Sequence, residues 1–283
     1  MINNHKLEKI VINNFSNTKL KLLFPPIILL IFIVFIFLSK GEFSVQKYIE
    51  IQKDLFYYLN DILSQLPSLQ FNLTQIGNPL IFLALLTVFI VYAPKLWEGI
   101  LTSIIISAAM SFIFKIIFDV PRPAEVFDND SFVIIGETLK GYKSLPSGHS
   151  ITTFTLITVL LLGFMPKEFK FKISWSISIL LFGFIIAFSR VGVGAHYPLD
   201  VVIGGIIGFM STIIGVNLNN QFNLWKWIKR KKYYPILMFF LIIGGFAIVS
   251  EISHNNLLIF YFSLATLLIT LYLIIKIHGR KEN

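Results

Sequence analysis

Pro146-Ser147-Gly148-His149 runs directly into SITTFTLITVLLLGFM, residues 150–165. A polar tetrapeptide set against an unbroken apolar run reads as the entry to a membrane helix, with its polar groups held at the water's edge. Backbone N–H groups exposed at a helix start make an anion site, and Gly148 lets a ligand come close to the backbone. Two more polar clusters sit at the ends of apolar runs. Upstream, Lys115 closes one run and Arg122-Pro123 follows seven residues later; downstream, Ser189-Arg190 closes another, followed by His196 and Asp200. Together these segments hold three cations, two histidines and one carboxylate. That set can grip a phosphate and attack it without a metal, because side-chain cations can neutralise a transferring phosphoryl group.

Composition places the whole chain in a membrane. Mean hydropathy is +0.77, and charged residues are 14% of the 283, about half the share of a soluble domain. Apolar runs at about 22–39, 79–94, 98–118, 150–165, 173–189, 198–217, 234–250 and 257–275 predict an all-α integral membrane bundle of about eight transmembrane helices in one membrane domain, 1–283. The second and fourth runs are short and would need flanking residues or a locally thinned bilayer. The first reads as a retained anchor, since no small-x-small cleavage pattern lies near Ser39-Lys40-Gly41-Glu42. Cysteine is absent, which excludes disulfides and thiolate metal sites.

The formal charge of +9 does not point to nucleic acid, because its placement follows the membrane. The N-terminus, the connections at Lys95 and Lys167–Lys172, the run Lys226–Lys232 and the tail carry 16 of the 24 Lys and Arg but 4 of the 15 Asp and Glu. By the positive-inside rule both termini are cytoplasmic, and all three polar segments face the exterior or periplasm. Lys229-Arg230-Lys231-Lys232 reads as a topology determinant, with binding of anionic lipid or nucleic acid as the other reading. In the outer segment 41–78, Tyr48, Ile51, Leu55, Tyr58, Leu59, Ile62 and Leu66 recur at helical spacing until Pro67. They predict a helix lying in the interface plane near the site mouth, or one packed on the bundle. Gly204 and Gly208 form a small-xxx-small pair, read as close packing within the chain, with dimerisation as the alternative and the oligomeric state open.

Each site residue has a plain reading beside the chemical one. Lys115, in a helix's last turn, could merely snorkel to the interface. Arg122, fixed between Pro121 and Pro123, can bind two phosphate oxygens with its planar fork. Asp200 lies four residues beyond His196; in a helix or turn it can take a hydrogen bond from one imidazole nitrogen and leave the other as nucleophile. A structural His–Asp pair at the interface is the alternative. Glu125, Asp128, Asp130 and Glu137 are scattered without metal-ligand spacing and read as a solvated surface.

The three segments, in this order and spacing, resemble the signature of the type 2 phosphatidic acid phosphatase superfamily, over roughly residues 80–215. The resemblance implies a six-helix phosphatase core at about 22–217, leaving an extra C-terminal helix pair at about 234–275. It implies that Lys115, Arg122, Arg190, Ser147 and the Gly148 amide hold the phosphate. It further implies that His196 attacks phosphorus to form a phosphohistidine, that Asp200 orients it, and that His149 protonates the leaving oxygen. No metal or other cofactor is implied. Leu145 stands where many relatives have an aromatic residue. The expectation is an integral membrane lipid-phosphate phosphatase of a bacterial inner (cytoplasmic) membrane, taking a polyprenyl diphosphate, lipid A phosphate, phosphatidylglycerol phosphate or phosphatidic acid. Its rivals are a phosphotransferase using the same site and a non-catalytic transporter or structural membrane protein.

Overall fold

The computed structural model describes residues 4–39 and 44–279, and every regular element among them is helical. In chain order these are α1 (Asn4–Ser16), α2 (Phe24–Ser39), α3 (Val45–Ser64), α4 (Pro67–Ile76), α5 (Pro79–Leu86), α6 (Phe89–Tyr92), α7 (Pro94–Phe118), α8 (Pro123–Val126), α9 (Gly148–Gly163), α10 (Phe169–Gly192), α11 (Pro198–Phe222), α12 (Tyr234–His254) and α13 (Leu258–His278). The Lys40-Gly41-Glu42 junction and the tail cations Arg280 and Lys281 lie outside the described residues.

Six helical stretches are long and apolar enough to cross a bilayer, or seven when α4 and α5, bent by 73° at their junction, count as one broken crossing. The expected eight are therefore corrected at two places. The expected second span, 79–94, breaks after Leu86 and again at Ala93-Pro94. Its start is fixed by Asn78, whose side chain accepts from the Leu80 N–H, and by Pro79 in the first turn. The expected fourth, α9, has 16 residues, about 24 Å of helix against a hydrocarbon core of about 30 Å. It does not meet lipid as a lone span would. α11, α10, α7 and α1 pack around it and bury most of its residues.

The closest packing is between α9 and α11, and small residues make it possible. A Cβ on Gly204 would stand 2.8 Å from the Ser147 carbonyl, and one on Gly208 would press into the Ile151 carbonyl. The Gly204/Gly208 pair is thus used inside the chain. α1, which the sequence reading left unassigned, closes the far end of the bundle: Phe15 is buried against Gly99 and Gly163, and Asn14 donates to the carbonyls of Gly163 and Met165.

α3 packs on the bundle through only part of its apolar stripe. Leu55, Tyr58, Ile62 and Leu66 are exposed, whereas Tyr48, Gln52, Phe56 and Asn60 face the bundle. The exposed face mixes these apolar residues with Glu50, Lys53, Asp54 and Asp61, as suits a helix at the boundary between lipid and water.

Candidate active site

The three polar segments come from four helix ends gathered at one end of the bundle. Lys115 lies in the last turn of α7, Ser147 caps the start of α9, Arg190 closes α10, and His196 and Asp200 flank the start of α11. The 119–147 connection folds across these ends through backbone bonds: Ser144 N–H donates to Val120 O, Arg122 N–H to Gly141 O, and Ser147 N–H to Asp200 O. The first two fold the connection on itself and the third ties it to the start of α11.

The His–Asp pair forms. His196 Nδ1 stands 3.3 Å from Asp200 Oδ2, and both side chains are buried. Asp200 also accepts from Ser144 Oγ at 2.6 Å, Tyr48 Oη at 2.7 Å and Tyr197 N–H at 3.0 Å. A carboxylate has roughly four acceptor sites, so this one is fully engaged. Its share in the α11 capping box also sets its direction. With Nδ1 directed to Asp200, the other nitrogen of His196, Nε2, faces Arg122 Nη1 at 3.5 Å, a long contact that a better acceptor would displace. Arg122 Nη1 also donates to Ala195 O at 3.2 Å.

Electrostatics favour a neutral imidazole. Burial first, then the charges of Arg122, Arg190 and Lys115, push His196 well below the usual histidine value of 6.5. Burial and the Asp200 charge push the Tyr48 phenol well above 10, so it stays protonated and can keep donating to that carboxylate.

The remaining expected residues surround this pair. Lys115 Nζ lies 3.3 Å from where a Gly148 side chain would begin, so the glycine is what admits the ammonium to the start of α9. Arg190 is buried, donates from Nη1 to Thr74 Oγ1 at 2.6 Å, and keeps Nε without a partner. Its carbonyl accepts from both Ala195 and His196 N–H. His149 packs against Gly77 at the α4–α5 bend and lies within electrostatic reach of Arg190, His196, Lys115 and Arg122. Ser147 is fully buried, and its hydroxyl oxygen accepts from Ser150 N–H and Ser150 Oγ–H, leaving its own proton to donate. Lys115, Arg122, Gly148 and His149 remain partly accessible and form the mouth, while Ser147, Arg190, His196 and Asp200 form the floor. Among the described residues, no group of three or more His, Asp or Glu could hold a metal ion.

Sequence reasoning missed the supports of this site. Tyr48 and Ser144 hold Asp200, Thr74 holds Arg190, and Gln52 caps α11 by accepting from Leu199 N–H at 3.0 Å. Asn60 donates to the carbonyls of Val133 and Val191 and accepts from Val133 N–H. A signal existed for α3: the polar Gln52 and Asn60 recur eight residues apart, on the helix face that Tyr48 begins. For Ser144 and Thr74 there was none.

An open groove of about 300 Å³ adjoins the site, lined by Ile33, Phe37, Tyr48, Ile117, Val120 and Leu145 among others. Tyr48 belongs to both, its ring stacked on Phe37 and its hydroxyl on Asp200.

The structure thus gathers cations and a buried His–Asp pair at one end of a bundle of apolar helices. Residues 97–224 match the family model of the PAP2 superfamily. It is 26% identical over 199 residues to an undecaprenyl-diphosphatase of Sulfolobus acidocaldarius, a match covering 69% of this chain and 90% of that protein. Over 71 residues it is 35% identical to the bacitracin transport permease protein BcrC of Bacillus licheniformis, covering 25% of this chain and 31% of that one. Among solved structures, LpxE of Aquifex aeolicus is similar at 23% identity and a TM-score of 0.49, covering 59% of this chain and 95% of that one.

Proposed function

We propose that this protein hydrolyses a lipid phosphate, with a polyprenyl diphosphate as the favoured class, through a phosphohistidine on His196. The observation that carries the reading is His196 itself, held at Nδ1 by Asp200 and turned at Nε2 toward Arg122. A phosphate oxygen taking the place of Nε2 as the Arg122 partner would set phosphorus in front of the imidazole lone pair. Arg122, Lys115, Arg190, Ser147 and the Gly148 amide then hold the phosphoryl oxygens as charge develops on them. Nε2 bonds to phosphorus while the bond to the leaving oxygen breaks, and His149 gives that oxygen its proton. Water then attacks the phosphohistidine and passes a proton to His149, the N–P bond breaks, and inorganic phosphate leaves. Asp200 stabilises the imidazolium character of His196 in both steps.

The lipid class follows from where the site stands. Its mouth is at the end of a membrane bundle, and the neighbouring groove is apolar enough to keep a prenyl or acyl chain out of water. Likeness to an undecaprenyl-diphosphatase over 90% of that protein favours a diphosphate.

Release of inorganic phosphate from a dispersed polyprenyl diphosphate by purified protein tests this, with lipid monophosphates in parallel and EDTA present throughout. The expected result is turnover with EDTA that His196→Ala abolishes together with an acid-labile, base-stable phosphoenzyme. Activity restored only by added magnesium would overturn the metal-free mechanism, full activity of His196→Ala would overturn His196 as the nucleophile, and no phosphate release from any of the lipids would overturn the phosphatase reading.

A further inference from the structure

At the end of the bundle away from the catalytic site, the C-terminal pair α12–α13 leans on the broken α5–α6 region and leaves a groove of about 330 Å³. That is the lower end of the size of small-molecule sites, about 300–1,000 Å³. Its walls are apolar, and three of the chain's four tryptophans line it: Trp97, Trp225 and Trp227. Trp225 is fixed by donating to Thr102 Oγ1 at 2.9 Å. Gly244 on α12 leaves the space that a larger residue would fill.

The two lining tryptophans at 225 and 227 flank Lys226, in the single turn Lys226–Lys229 that closes the groove's end. That turn opens the most basic stretch of the chain. Lys229 is paired with Glu8 and Glu98. Lys226, Arg230 and Lys232 are exposed, and no carboxylate among the described residues pairs with them. An apolar groove lined by Trp225, Trp227 and Ile228 thus adjoins, along the chain, three unneutralised cations at 226, 230 and 232. This arrangement matches one kind of molecule, apolar along its length and negative at one end. We infer that this groove binds an anionic phospholipid of the leaflet opposite the catalytic site, one acyl chain lying along α12 and the headgroup phosphate on Lys226, Arg230 and Lys232. The basic stretch therefore has a use beyond orienting the chain, and the C-terminal pair beyond the phosphatase core supplies one wall of the site.

The tryptophans supply the readout. Trp175 is the one tryptophan away from the groove, so Trp175→Phe leaves a protein whose every indole lines it. This full-length protein is placed in mixed micelles with phosphatidylglycerol or phosphatidylcholine carrying brominated chains, and quenching is followed against lipid mole fraction. The phosphatidylglycerol should reach half-maximal quenching at a mole fraction about ten-fold lower, given the attraction of a few cations for an anionic headgroup. Neutralising Lys226, Arg230 and Lys232 together to Gln should remove that preference while leaving quenching by phosphatidylcholine in place. Gly244→Leu should weaken quenching by both lipids, because bromine no longer reaches the indoles, even though the surface charge is intact. Its new Cβ would meet only the flexible tip of Leu267, at 3.3 Å. Equal quenching by the two lipids, a preference that survives neutralisation, or quenching indifferent to Gly244→Leu would each overturn the proposal. Since phosphate release is not measured, its outcome is separate from that of the phosphatase reading.

Discussion

Tyr48 joins two parts of the molecule, the carboxylate paired with His196 and the wall of the apolar groove. Its hydroxyl is one of four donors converging on Asp200, and hydrogen bonds to charged groups contribute more than neutral ones. Tyr48→Phe keeps the ring and its stacking on Phe37 but removes that donor. Steady-state kinetics should show kcat about ten-fold lower with KM nearly unchanged, because the phosphate-gripping cations are untouched. A raised KM at constant kcat would place Tyr48 in lipid binding alone. His196 gives a pH test at the same scale. Its imidazole is held below 6.5 by burial and by Arg122, Arg190 and Lys115, so the proposed nucleophile stays uncharged until pH falls through the lowered value. The acid limb of kcat/KM for a diphosphate substrate should therefore lie below pH 6.5. Arg122→Gln, which removes a repelling charge, should shift the limb upward in its residual activity. A wild-type limb above pH 7 would mean that the surrounding cations and burial do not hold this histidine below its usual value.

Between elements, the α9–α11 contact sets the site, since the Ser147 N–H bonds the Asp200 carbonyl across it. Gly208 permits that contact and Gly245, on α12, permits nothing comparable: a Cβ there meets Leu267 at an ordinary 3.6 Å. Helix propensity alone would make Gly→Ala stabilising by about 1 kcal/mol at either position. At Gly208 the clash with the Ile151 carbonyl should reverse the sign, with overpacking costing about 1–3 kcal/mol. Thermal unfolding in detergent should thus show Gly208→Ala melting lower than the parent and Gly245→Ala level with it or higher. If both melt higher, the α9–α11 approach is looser than described. This contact was legible in the sequence because Gly204 and Gly208 repeat at helical spacing. So was the gathering of Lys115, Arg122, His149, Arg190, His196 and Asp200, because each stands where an apolar run ends on the same side. α3 was legible as a helix near the site, but not the face it buries, where Gln52 and Asn60 join Tyr48, Ile49 and Phe56. In a membrane protein, hydrophobicity does not separate core from surface, as lipid accepts what a core would. The supports contributed by Ser144 and Thr74 depend on contacts across 56 and 116 residues, which no local pattern encodes.

For the whole molecule, helix direction and charge make separate statements about orientation. The helix directions put 119–147 and 193–197 at one end and the Lys226–Lys232 stretch at the other. The charge bias then says which end is which, because loops rich in Lys and Arg stay cytoplasmic. The catalytic end would face the exterior or periplasm, and the basic groove the cytoplasmic leaflet. A chain without cysteine permits a direct check, since single cysteines introduce the only thiols. Asp130 and Leu224 are exposed at opposite ends, and replacing either leaves every Lys and Arg in place, so the topogenic charges are unaltered. In intact cells a membrane-impermeant maleimide should label Asp130→Cys at once and Leu224→Cys only after permeabilisation. The reverse pattern would turn the enzyme over, place its substrate in the cytoplasmic leaflet, and leave the proposed anionic-lipid groove facing outward. Labelling of both before permeabilisation would mean that one population inserts each way, and would count against a charge bias strong enough to fix orientation.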